Sequence, residues 1–196
     1  MWRPVSIAAT LIVLSGCFQG CGPTGPIECG KFQPTQATLS GASEISVSDM
    51  WAVGTYQDEG RSMPLTEHWD GSSWSVVSSP NPSGTDNRLT AVAAISENDA
   101  WTVGDYFGPE RPEPLIEHWN GASWTVVDAP SPAGNIRQLS GISAVDAADV
   151  WAVGFQTKSD GTGSKPLIEH WDGASWLVVP SPNLGAGGQL TSVRAL

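Results

Sequence analysis

The stretch HWDGSSW, His68 to Trp74, sets an imidazole, a carboxylate and two indoles within seven residues. An imidazole and a carboxylate can transfer protons or ligate a metal, and indoles offer apolar faces to a ligand. The pattern returns as HWNGASW at His118 to Trp124 and as HWDGASW at His170 to Trp176. Three copies at a fixed phase read as a structural part, because a site is normally a local exception to an architecture. Alternation along PLIEHW sends Leu65, Glu67 and Trp69 to one side of a strand and Thr66, His68 and Asp70 to the other. His68, His118 and His170 are then a whole repeat apart. That argues against one shared metal, whose His ligands converge at about 2.0 to 2.1 Å on zinc. No metal, no cofactor and no catalytic residue is therefore assigned.

On this reading Trp51, Trp69 and Trp74, with Trp101, Trp119, Trp124, Trp151, Trp171 and Trp176, are interface packing residues. Each contributes about 1.5 to 3 kcal/mol through burial. The three His hydrogen-bond backbone or a carboxylate in the same interface, and Glu67, Glu117 and Glu169 pair with a nearby donor. Asp49, Asp99 and Asp149 read as turn-forming side chains.

Residues that differ between copies are the better ligand candidates. They fall in TYQDEGRSM (Thr55 to Met63), DYFGPERPE (Asp105 to Glu113) and FQTKSDGTGSK (Phe155 to Lys165), and in the links between repeats. Tyr56, Asp58, Glu59, Arg61, Asp105, Tyr106, Phe107, Glu110, Arg111, Phe155, Lys158 and Asp160 offer aromatic faces and charges there. Loops on a rigid scaffold are where binding usually lives; the alternative is that these loops vary because nothing constrains them. An enzyme reading needs two carboxylates roughly 5 to 9.5 Å apart for glycoside chemistry, and Asp58, Glu59, Asp105 and Glu110 are the available acids. No Ser-His-Asp or zinc-ligand motif accompanies them.

What must position these residues is a repeat. Trp51, Trp101 and Trp151 are 50 apart, and Leu39, Leu89, Leu139 and Leu190 open units that step by 50, 50 and 51. The units run 39–88, 89–138 and 139–189, and a fourth opens with LTSVRAL at 190–196. Each full unit carries four β patterns separated by turn chemistry. Asp70-Gly71, Asn120-Gly121 and Asp172-Gly173 suit tight hairpins, and Pro80, Pro82, Pro130, Pro132, Pro180 and Pro182 close the last strand of each unit. Four antiparallel strands per repeat of about 50 residues is the arithmetic of a β-propeller blade. The expected fold is all-β: three four-stranded antiparallel blades plus the first strand of a fourth, an incomplete ring. The units resemble kelch blades in having Trp69-Asp70 near the end of the third strand, a short turn, and Trp74 opening the fourth. They depart in carrying Val53-Gly54, Val103-Gly104 and Val153-Gly154 where kelch blades have a double glycine.

The rest of the chain sets the compartment. Residues Val5 to Leu14 form an apolar run too short for the roughly 20 residues of a spanning helix, preceded by Arg3 and followed by Leu14-Ser15-Gly16-Cys17. This resembles the lipobox of bacterial lipoproteins. The resemblance implies a signal peptide at 1–16, acylation of Cys17 and anchoring on the outer membrane or cell surface; an ordinary cleaved signal is the alternative. Cys21 and Cys29 then remain in an exported protein, and a disulfide is the simplest reading. Residues 17–38 read as a Gly/Pro-rich tether. The net charge of -11 disfavours nucleic acid, whose phosphates need clustered Lys and Arg. The expected partners are the membrane, a glycan or protein ligand, and a second copy through the open blade edge at LTSVRAL.

Overall fold

The computed structural model describes residues 36–108, 111–130, 135–158, 160, 162–182 and 187–196. The expected signal peptide, Cys17, Cys21, Cys29 and nearly all of the tether lie outside them, as does Glu110. The described chain is twelve strands. The first sheet holds β1 (Ala37–Ser46), β2 (Asp49–Asp58), β3 (Arg61–Trp69) and β4 (Trp74–Val77); the second, β5 (Asn87–Ser96), β6 (Asp99–Phe107), β7 (Pro112–Trp119) and β8 (Trp124–Val126). The third holds β9 (Asn135–Asp146), β10 (Asp149–Lys158), β11 (Lys165–Trp171) and β12 (Trp176–Val178). Each is antiparallel with its strands in chain order, so each is one propeller blade, and the three form an open array. The first strand of each blade begins two to four residues before the Leu that opens the repeat, so β1 takes Ala37 and Thr38 from the expected tether.

Local chemistry explains each joint. Gly71, Gly121 and Gly173 have φ near +90°, a region closed to most residues with a Cβ, and Asp70, Asn120 and Asp172 accept hydrogen bonds from the two amides that follow the glycine. Ser72 adds its hydroxyl to Asp70, and these donors hold the exposed Asp70 carboxyl down at about 2. Each first strand also carries a bulge: Leu39 pairs with Gly54 and the next partner is Gly41 with Val53. A Cβ on Gly54, Gly104 or Gly154 would lie 1.9, 1.8 or 1.9 Å from the carbonyl oxygen of Thr38, Arg88 or Gln138. The single glycine inside the second strand is thus required by backbone approach.

Two apolar clusters fill the spaces between blades. One holds Trp51, Val53, Leu89, Val92, Leu115 and Trp124 between blades one and two. The other holds Trp101, Val103, Ile116, Leu139, Leu167 and Trp176 between blades two and three. The first strands of adjacent blades come close along their backbones, a Cβ on Gly41 meeting Ala91 Cα at 3.0 Å. Residues Leu190–Leu196 lie in the same relation to β9: a Cβ on Gly141 would meet Ser192 Cα at 3.0 Å, and Ala195 donates to Ser143 Oγ at 3.1 Å as Ala94 does to Ser43 Oγ at 3.0 Å. This segment occupies the place of a fourth blade's first strand, without a ladder partner of its own among the described residues.

Candidate ligand-binding face

Residues of the HWDG motif sit on the two faces of each blade as alternation predicts. Trp51 lies tilted against His68 of its own blade, ring centroids 4.6 Å apart, and meets Trp119 and Trp124 of blade two at 5.0 Å each. Trp101 repeats this with His118 at 4.3 Å and with Trp171 and Trp176 of blade three at 4.9 and 5.5 Å. His68, His118 and His170 place Nε2 at 2.8, 2.9 and 2.8 Å from Oδ1 of Asp49, Asp99 and Asp149. An ionised carboxylate only accepts, so Nε2 carries the proton. The acids read as turn formers therefore anchor the imidazoles. Among the described residues no group of three or more His, Cys, Asp or Glu is arranged to hold a metal.

The interface carboxylates have different fates. Ser79 of blade one donates to Glu117 Oε2 at 2.8 Å, and burial pushes that carboxyl up to about 7. Glu169 is 0% exposed and lies 3.5 Å from Nη1 of Arg137, itself 1% exposed. Burial raises the Glu169 carboxyl, and the guanidinium pulls it partly back. Arg137 also donates to the Pro130 carbonyl. Arg137 stands where blade two has Asn87, and Ala129 where blade one has Ser79. The donor to the buried glutamate has moved from the end of one blade to the start of the next.

At the opposite end from the HWDG turns, the second-to-third-strand connections are shorter than the variable segments suggest. They are Glu59-Gly60 in blade one, 108–111 in blade two and 159–164 in blade three. Tyr56, Asp58, Arg61, Asp105, Tyr106, Phe107, Phe155 and Lys158 are strand residues, Tyr56 opposite Met63 and Asp105 opposite Pro114. The strands continue through polar residues because the ladder is made by backbone groups, not by the side chains that mark its buried part.

The links between blades brace these hairpins from the same end. Arg61 Nη1 donates to the Gly84 carbonyl at 3.0 Å, and the Ser62 amide to Asp86 Oδ1 at 2.8 Å. Thr85 Oγ1 donates to the Phe107 carbonyl at 3.2 Å. Asn87, fully buried, donates to the carbonyl of Thr85 and to Asn81 Oδ1, tying the two ends of the link. In blade three the Gly187 amide reaches the Ser164 carbonyl at 3.2 Å. The first link thus brings together the hairpins that carry Arg61 and Phe107. Asn81, Asn87 and Arg137 were not singled out by the sequence pattern, although two Asn inside a Gly/Pro/Ser link are a turn-locking signal.

The candidate residues separate by what they have to spare. Asp105 is buried and bonded to Arg88 at 2.8 Å, and Arg111 is paired with Glu113 at 2.9 Å. Asp160 accepts from the amide and hydroxyl of Thr162, which lowers its pKa. Tyr56 is half-buried, and burial together with the Asp58 charge raises its phenol. Asp58, Glu59, Arg61 and Lys158 are exposed, and Phe107 is 52% exposed. The end of the blades therefore presents an aromatic ring and mixed charges on a hydrogen-bonded base.

No protein-family model and no curated protein sequence matches the chain. Among solved structures, it is similar to a YCF48 bound to D1 peptide (19% identity, TM-score 0.48), over 78% of this chain and 44% of that one. It is also similar to a fucose lectin from Kordia zhangzhouensis in complex with methyl-fucoside (12% identity, TM-score 0.41), over 71% of this chain and 98% of that one. The chain thus spans less than half the length of the first of these.

Proposed function

We infer that the chain is a lipid-anchored, extracytoplasmic binding module of the bacterial cell envelope. Its blades, kelch-like in the third-to-fourth-strand turn, take a glycan or protein ligand on the face where the hairpins and links meet. The observation that carries this reading is one-sided variation. The HWDG turns are alike in all three blades, whereas the hairpin connections at the other end span two, four and six residues. Packing alone would not confine difference to one end, and the link bonds to Arg61, Ser62 and Phe107 hold the blade-one and blade-two hairpins of that end in place.

The test is a glycan array and a peptide display screen with the acylated chain. The expected result is a ligand whose binding drops at least tenfold in Phe107→Ala or on exchanging the 108–111 connection for Glu59-Gly60. A ligand that survives both changes, or binding that maps to the HWDG turns, would remove the reading. Anchoring has its own test: labelled fatty acid should enter the wild-type chain and not Cys17→Ala, and equal labelling would discard the anchor.

A further inference from the structure

Each blade of this chain has two unlike faces, and two of the six are uncovered by any other described blade. The face of blade one that carries Glu67, Trp69 and Trp74 corresponds to the face of blade two that packs on blade one. The face of blade three that carries Trp151, His170 and Ile168 corresponds to the face of blade one that receives blade two. The same joint is made twice within the chain, and each of its halves also stands on a face that no described blade covers.

The leftover halves match in detail. At the first joint Val77 packs into the cluster holding Leu89, Leu115 and Trp124, and Ser79 donates to Glu117. At the second, Ile116, Val127 and Ala129 pack with Leu139 and Leu167. The counterparts on blade three are Ile168, Val179 and Ser181, and they wall a depression of about 210 Å³. On blade one Glu67 is half-buried at the position of Glu117, and Trp69 and Trp74 lie 5.8 Å apart as Trp119 and Trp124 do. Trp151, with no indole pair against it among the described residues, turns its N–H onto Asp149 Oδ1 at 2.7 Å, whereas the covered Trp51 and Trp101 do not.

We propose that blade one of a second copy seats on blade three, head to tail, with Trp69 and Trp74 against Trp151 and Glu67 against Ser181. The interface is heterologous, so each copy uses one surface and offers the other. The incoming β1 needs the place along β9 that Leu190–Leu196 holds in a single copy, so this segment competes with the partner.

Two differently tagged full chains, co-expressed and solubilised in mild detergent, test it by co-purification and light scattering. Trp74→Glu blocks the blade-one face and Ile168→Glu the blade-three face; both side chains are half-exposed, and near-UV circular dichroism checks their folding. Ser181→Lys replaces Ile168→Glu should that variant unfold. Wild-type copies should co-purify, each variant alone should lose at least tenfold of this, and Trp74→Glu mixed with Ile168→Glu should recover a 1:1 complex. Deleting Leu190–Leu196 should raise the co-purified fraction severalfold. Single-copy wild type, undiminished self-association of either variant, a mixture that stays apart, or indifference to the deletion would each overturn the proposal.

Discussion

Glu117 and Glu169 occupy one repeat position, yet they should respond oppositely to loss of charge. Glu117 is buried against a neutral Ser79 hydroxyl, so its carboxyl holds a proton up to about pH 7 against an ordinary 4.5. Between those values the folded chain binds more protons than the unfolded one. Stability from this group is then full below pH 4.5 and falls as pH rises to 7, by on the order of a few kcal/mol. Glu117→Gln keeps an acceptor for Ser79 without the charge, so it should raise stability at pH 8 by about 1 to 3 kcal/mol and flatten the slope between pH 4.5 and 7. Burial lifts the Glu169 carboxyl to about 7 as well, so at pH 8 it is ionised beside buried Arg137, and there Glu169→Gln removes the counter-charge and should cost about 2 to 5 kcal/mol. Urea unfolding across pH measures both, and equal signs would contradict the exchange of donors. The indoles give a second contrast at this scale: Trp51, 1% exposed, should cost about 3 to 5 kcal/mol on truncation to Ala. Trp151→Ala should cost less than half of that, because Trp151 is only half-buried.

Strand pairing is where the sequence was most and least informative. Turn positions and the alternation of His68 against Trp69 were legible, since both follow from local rules: φ at Gly71 and the two-residue period of a strand. The ends of β2, β3, β6 and β10 were not, because Thr55, Gln57, Asp58, Arg61 and Ser62 are polar and their pairing is a backbone matter. Nor was the Arg137–Glu169 pair, whose partners are 32 residues apart on β9 and β11, with β10 between them, and meet only once blade three has formed. The glycine at the bulge sits between these cases. Its recurrence at 54, 104 and 154 was visible, and the reason for it needed the carbonyl of Arg88 at 1.8 Å from a Cβ on Gly104. The contact is with backbone and cannot be relieved by a rotamer change. Gly104→Ala should therefore push β5 from β6 at a cost of about 2 kcal/mol or more. It should also speed amide exchange at Leu89 and Ala91.

A molecule of stacked blades has nearest-neighbour energetics, because each blade contacts only those beside it. Blade two has a neighbour on both faces, and the effect is visible in matching strands: β6 is buried along nearly its whole length, while β2 and β10 are half-buried toward their ends. Trp124 and Trp176, which face a preceding blade, are 4% and 5% exposed, and Trp74 at the same position is half-exposed. Hydrogen exchange should consequently be slowest in β5 to β7 and faster by an order of magnitude or more in blades one and three, β1 fastest of the first strands. Breaking the second joint alone with Trp101→Glu should expose β9 to β11 and leave β2 and β6 protected, because the first joint, Trp51 against Trp124, is untouched. If all three blades lost protection together, the chain would be one cooperative unit. The separation of its two apolar clusters would then carry no energetic meaning.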